Sequence, residues 1–363
     1  MSDLQDRIQR RLDTLVGTGA ETGVQVAVYQ DGALIVDAAA GPADPGTGRP
    51  LTSRTPIFSF STGKNLAATL AHMLVARGFL GYDSLVRDHW PEFGVRGKAT
   101  TTLRHVLTHT TGLPAMPREI TPAELPDWSR VCGALAAAEP RWRPGAAMGY
   151  HAYTFGHLVG ELARRTTGRP MRELLREWIT APLGIEGQLF FAAPLESLPG
   201  LARLEQRAEQ WPAVQGDGDA ILAPWESGPR ADFGNDDAIL RADIPSVGSA
   251  TAHGLAAMFD ALLRGELVGS AQFEELSAPA YEGVDQVFGT PTRMALGFPI
   301  GRIGAPAAEN SVAFGWPGGG GSYAYADPAR GVAFALTKTR LVPNFDTALS
   351  VTTILSDHLA RMT

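Results

Sequence analysis

At 363 residues, with 44% hydrophobic and 19% charged side chains, the chain has a globular composition and ample length to bury a core. A formal net charge of -7 and the lack of a Lys/Arg-rich stripe argue against a phosphate-backbone binder and disfavour membrane surfaces, so neither a nucleic-acid nor a membrane partner is expected. Cys132 is the only cysteine, which excludes an intrachain disulfide and a cysteine-rich metal site.

The first segment, "MSDLQDRIQRRLDTLVGTG", sets Leu4, Ile8, Leu12 and Leu15 at helical spacing with charges between them, the pattern of an amphipathic helix. It holds no apolar run of the signal-peptide kind, and no stretch of the chain is apolar enough to span a bilayer as a helix, so a cytoplasmic protein is expected. "GVQVAVYQDGALIVDAAAG" follows with strand-like runs at 23–30 and 33–40 around Asp31-Gly32, a hairpin signal. Residues 58–78, "FSFSTGKNLAATLAHMLVARG", leave only Asn65, Thr69 and His72 polar after Lys64, as in a helix buried on all sides. A short helix is predicted within 101–114, stopped by Gly112 and Pro114, and an amphipathic one over 153–170, closed by Gly168 and Pro170. Residues 171–240 read as loops and short helices. A helix over 251–264 comes next, then strands over 293–303, 320–328 and 331–340 and a last helix over about 345–360. Strands at both ends with helices between them predict an α+β fold, one antiparallel sheet built from the chain ends beside a helical middle. The expected division is a sheet lobe of 1–57 and 290–363 and a helical lobe of 58–289.

Three stretches carry chemistry. Ser61 and Lys64 stand three apart, so a helix would put both on one face, beside the free N–H groups of its first turn. An ammonium heading a buried helix must find a partner, face a wet cleft or lose its proton. A lone S-x-x-K is nonetheless a common tetrad. In "RPGAAMGYHAYTFG", Tyr150 sits on a glycine-flanked turn. Packing is the commoner fate of a tyrosine, while beside Lys64 its phenol, with a pKa lowered by the ammonium, would take the Ser61 proton and return it to a leaving group. In "FGWPGGGGSYAYADP", four glycines, 318–321, run into a strand at a high entropic cost, so either the backbone there must approach something closely or the stretch is a flexible loop. Such a strand can supply one N–H of an oxyanion hole, Gly319 rather than Pro317, with Ser61 supplying the other.

In that order the motifs resemble those of the serine β-lactamase-like superfamily, in the branch of class C β-lactamases and family VIII carboxylesterases. "FSFSTGK", "LRHVLTHTTGLP", "YHAYTFGHLVGELARRTTG", "IPSVGSATAHGLAAMFDALL" and "GWPGGGGSYAYADPARGVAFA" all carry the likeness, which extends over most of the chain. The resemblance implies a β-lactamase/penicillin-binding-protein-like fold, with Ser61 as acylated nucleophile, Lys64 as its activating partner, Tyr150 as general base and then acid, and the Gly319 N–H in the oxyanion hole. Tyr150 is followed by His151 and Ala152 where class C enzymes have Tyr-x-Asn, and Trp316-Pro317-Gly318 replaces their Lys-x-Gly. Both departures weaken a β-lactamase reading and favour less anionic esters or amides. Trp316, Gly318 and His151 are then candidates for substrate contact, although a structural role is the commoner fate of a histidine like His151. His105 and His109, four apart on one helix, lack the further ligands a metal site needs; no metal or cofactor is expected. The leading expectation is a serine acyl-enzyme hydrolase of carboxylesterase type acting on a small ester or amide. The alternatives are a transacylase that passes the acyl group to an amine or alcohol, a β-lactamase or peptidase, and a binding module without chemistry. The pocket walls are expected from 185–245 and 281–293.

Overall fold

Asp31 and Gly32 both take positive φ, 48° and 84°, so the chain reverses there in two residues, as the hairpin signal requires. The computed structural model describes residues 3–206, 222, 224–226, 228–305 and 311–361. The reversal joins β1 (Val24–Gln30) to β2 (Ala33–Ala40). Far along the chain, β3 (Tyr323–Asp327) and β4 (Val332–Lys338) form a second antiparallel pair, and β4 lies against β1 with Val24 opposite Lys338. The four-stranded order is thus β3-β4-β1-β2, a sheet built from the two chain ends.

Alternation within these strands sorts the two faces. Val24, Val26, Val28, Tyr325, Phe334 and Leu336 point to one side, where α1 (Asp3–Gly17) and α5 (Asp346–Leu359) cover them with Leu4, Ile8, Leu12, Val351 and Leu355. Ala27, Ala324, Ala326, Ala333 and Ala335 point to the other, and these small side chains let helix α4 (Ala252–Leu263) lie close on the sheet. Burial on both faces explains why β4 reads as a nearly continuous apolar run. Helix α4 falls inside the stretch expected as the helical lobe and packs on the sheet.

Helix α2 (Gly63–Ala76) is the buried helix, preceded by a short 3-10 turn over Phe60–Thr62. Its polar side chains are all satisfied: Thr69 Oγ1 donates to the Asn65 carbonyl at 2.8 Å, and His72 bonds the Tyr82 hydroxyl and the Leu296 carbonyl, each at 2.9 Å. Helix α3 (Thr154–Thr167) ends at Gly168, whose φ of 73° is the left-handed cap a glycine provides.

The predicted strand over 293–303 is only partly formed. Pro291–Met294 pairs with Tyr281–Val284 as a separate hairpin, and a turn at Gly297, φ 86°, then interrupts the run. Ile300 and Phe314 regain the edge of the main sheet only through single bridges, Ile300 to Phe314 and Phe314 to Ala326. In the 171–240 stretch the short helices Met171–Leu175, Ala231–Gly234 and Asp237–Leu240 are present, while 207–221, 223 and 227 lie outside the described residues. Among the described residues no helix is long and apolar enough to cross a membrane.

Candidate active site

Phe60 holds φ at 49°, a left-handed conformation that a bulky residue adopts only under constraint, and the chain leaves it directly into Ser61. Ser61 Oγ then stands 3.0 Å from Lys64 Nζ, one helical turn on, and 2.6 Å from the Tyr150 hydroxyl. Lys64 is fully buried; its Nζ also donates to the Ser246 carbonyl at 3.2 Å and lies 4.8 Å from the centre of the Tyr150 ring. Three side chains expected together from the sequence therefore meet at one hydroxyl.

Burial governs their protonation. It pushes the Lys64 amine well below the usual lysine range, against a weaker upward pull from the Glu226 carboxylate. It also pushes the Tyr150 phenol up, helped by the Asp285 and Glu226 charges and opposed by the hydrogen bond with Ser61. Desolvation disfavours both charged forms, so the phenol is shifted up rather than down as expected from a neighbouring ammonium, and burial favours the uncharged amine beside it.

The four glycines have separate reasons. A Cβ at Gly318 would come within 2.1 Å of the Ser59 carbonyl oxygen, so the strand can lie against the nucleophile turn only as glycine. Gly320 and Gly321 hold φ at 95° and 103°. The Gly318 N–H donates to the Ser322 carbonyl at 2.8 Å, whereas the Gly319 N–H makes no hydrogen bond among the described residues and Gly319 lines the cleft. Trp316 is held by Asn65 of α2: its N–H donates to Asn65 Oδ1 at 2.7 Å, Asn65 Nδ2 donates back to its carbonyl at 3.2 Å, and its indole N–H reaches the Gly297 carbonyl at 2.6 Å. Asn65 thus ties the helix of Ser61 to the glycine strand. The sequence signal was present, a lone amide in an apolar helix, but it carried no partner.

The cleft in front of Ser61 has a volume of about 560 Å³. Phe60, Tyr153, Leu222, Pro229, Phe288 and Trp316 make its walls largely apolar, and Glu226 adds a carboxylate. Its walls include Leu222, Glu226, Gly228 and Pro229, and Asp285, Phe288 and residues 290–294, inside or beside the two stretches expected to form them. Trp316 and Gly318 line it; His151 does not. His151 is fully buried, with Nε2 2.6 Å from Thr111 Oγ1 and Nδ1 2.5 Å from the Gly149 carbonyl, so both ring nitrogens are spent inside the protein and its expected contact with substrate is corrected. His105 closes a capping box with Thr102, and His109 Nδ1 accepts the His151 N–H at 2.9 Å. No group of three or more His, Cys, Asp or Glu among the described residues is arranged to hold a metal ion.

The sequence model of the Beta-lactamase family matches residues 8–357. The chain belongs to the Beta-lactamase family. Within that family it is 34% identical over 336 residues to the esterase/beta-lactamase LipL of Mycobacterium tuberculosis, an alignment covering 88% of this chain and 77% of the relative. Its structure resembles a family VIII carboxylesterase with a TM-score of 0.88 at 27% identity, over 97% of both chains. It also resembles a penicillin-binding protein homolog from Caulobacter crescentus, with a TM-score of 0.82 and 31% identity over 96% of this chain and 98% of the other. The fold is thus the β-lactamase/penicillin-binding-protein type expected from the motifs, and this member of the Beta-lactamase family is an esterase-like hydrolase.

Proposed function

We propose that the protein is a serine acyl-enzyme hydrolase of carboxylesterase type, with Ser61 as nucleophile, the Lys64 amine as proton acceptor and the Tyr150 phenol as proton relay. The single observation that carries this reading is the Ser61 hydroxyl shared between a buried lysine and a tyrosine, at 3.0 and 2.6 Å. Attack of Oγ on the ester carbonyl forms the C–O bond, sends the carbonyl π electrons to oxygen and passes the hydroxyl proton to Lys64 Nζ. The oxyanion is received by the N–H groups of Ser61 and Gly319. Collapse restores the carbonyl and expels the alkoxide, which takes the Tyr150 proton while Lys64 returns its own to the phenol. Water then attacks the acyl-Ser61 by the same path in reverse. In this reading Lys64, rather than the Tyr150 expected from the sequence, accepts the first proton, because burial raises the phenol and lowers the amine, which favours the amine as acceptor.

An apolar cleft with Trp316 in place of a lysine supports neutral esters over anionic lactams. Intact-mass spectrometry after exposure to a p-nitrophenyl ester series, and separately to nitrocefin, tests the reading. The expected result is a single acyl adduct on Ser61 from the esters, lost in Ser61→Ala, with little turnover of nitrocefin. Chromophore release accelerated by an added amine would make the protein a transacylase; an adduct that persists in Ser61→Ala would remove the nucleophile assignment altogether.

A further inference from the structure

Tyr150 lies outside any helix or strand, so hydrogen bonds from other segments must hold its backbone. Three consecutive N–H groups are taken alternately from two directions. Gly149 N–H donates to the His109 carbonyl at 3.1 Å and His151 N–H to His109 Nδ1 at 2.9 Å. Between them, Tyr150 N–H donates to Asp285 Oδ1 at 3.2 Å. Asp285 stands at the tip of the hairpin of Tyr281–Val284 and Pro291–Met294 and is only 5% exposed. The same Oδ1 accepts the Val287 N–H at 2.7 Å, and Gln286 N–H donates to the Met148 carbonyl at 2.9 Å, so the tip is fastened to the tyrosine segment at two points. Ring contacts repeat the arrangement: Phe288 of the tip lies 5.5 Å from the Tyr150 ring centre and His109 5.9 Å from it.

We propose that Asp285 is a positioning residue for Tyr150, its Oδ1 working against the two bonds from His109 to set where the phenol stands relative to Ser61. The inference rests on the role given to Tyr150 above. His109 holds the residues before and after the tyrosine, and His151 Nδ1 meets the carbonyl end of the Gly149–Tyr150 peptide at 2.5 Å; the carboxylate is what fixes the N–H end of that peptide. A shift of about 1 Å at a reacting group costs on the order of 100-fold in rate, which is the scale of effect expected from a slackened Tyr150. Asp285 itself transfers no proton in this scheme.

A double-mutant cycle on p-nitrophenyl ester hydrolysis tests this, because a residue that acts only through Tyr150 has nothing left to act on once the hydroxyl is gone. Asp285→Ala is expected to lower kcat by about 10- to 100-fold with KM within about threefold, and to have no further effect in a Tyr150→Phe background. Equal losses in both backgrounds would reduce Asp285 to a general stabiliser and overturn the proposal. Should the alanine variant not fold, Asp285→Asn and Asp285→Glu run the same cycle. The asparagine keeps the acceptor in place without the charge and should retain most of kcat; the glutamate keeps the charge but moves the acceptor and should lose it. The reverse order would make the charge, not the position, what matters. If Tyr150→Phe turns over normally while Ser61→Ala is dead, the fault lies with the role of Tyr150 and not with the clamp.

Discussion

Lys64 is where residue chemistry and fold meet most directly. In the proposed mechanism position 64 needs a group that accepts a proton in a water-poor site and gives it back, and a buried amine suits that role because desolvation lowers its pKa and favours the uncharged form. Arginine fills a similar volume with the same formal charge but stays protonated at every accessible pH. Lys64→Arg should therefore lower kcat/KM by at least about 100-fold, the lower end of what general-base catalysis contributes, and should also lower the denaturant midpoint, since it buries a charge that cannot be shed. The pH profile of the unaltered enzyme is the companion measurement. Because the Lys64 amine lies below its ordinary range, the neutral form persists as pH falls through 10 and is lost only on approach to the depressed value, so kcat/KM should hold level across mildly alkaline pH and fall on the acid side. A rate that instead climbs through the ordinary amine range, after correction for spontaneous hydrolysis, would show Lys64 charged at neutrality and end its assignment as the base.

Among the elements, the start of α2 is the most constrained. Alanine is favoured over glycine by about 1 kcal/mol in a helix interior and by less at the first position, where Gly63 stands, so propensity alone predicts that Gly63→Ala stabilises slightly. A Cβ there would meet the Val247 backbone at 2.4 to 2.8 Å, and backbone cannot step aside as a flexible side chain can. Steric conflict of this kind typically costs 1–3 kcal/mol and outweighs the propensity gain. Gly63→Ala should lower the denaturant midpoint at an unchanged slope and slow acylation of Ser61, two residues away; a midpoint that rises would show that the 246–247 segment yields. The helix itself, the 31–32 reversal and the Gly168 stop were legible because each rests on local pattern: apolar periodicity, a two-residue turn, a left-handed cap. Ser61 and Lys64 were legible as a pair three apart and Tyr150 as a tyrosine on a glycine-flanked turn, and the family resemblance is what joined them. What stayed hidden depends on partners far away in sequence. Asp285 reaches Tyr150 across 135 residues and Asn65 reaches Trp316 across 251, and neither leaves a mark on its own neighbourhood. His151 misled for the converse reason, since adjacency to Tyr150 in sequence says nothing about which way the ring turns; both of its nitrogens face inward.

At the scale of the whole molecule, the two chain ends are sewn together beneath the glycine strand. Lys338 at the end of β4 pairs with Glu21, which follows α1, and Thr347 Oγ1 of α5 donates to the same carboxylate oxygen at 2.5 Å. Both charged groups are buried, at 1% and 2% side-chain exposure, so their attraction must offset the desolvation of two charges. Burial lowers the Lys338 pKa from its usual value, and the Glu21 charge beside it acts in the opposite sense. A Cβ built on Gly321 would lie 3.4 Å from Lys338 Nζ, which places the pair directly behind the turn that presents Gly319 to the cleft. Removing one partner strands the other without compensation, so Lys338→Met should destabilise by about 3–5 kcal/mol, whereas replacing both partners by apolar residues of similar volume should be far closer to neutral. Stability from denaturant melts of Lys338→Met, Glu21→Met and the double variant checks this. Two single losses that simply add in the double variant would show that the groups do not depend on each other, and the ends of the chain would then be held by the apolar packing of α1 and α5 on the sheet alone.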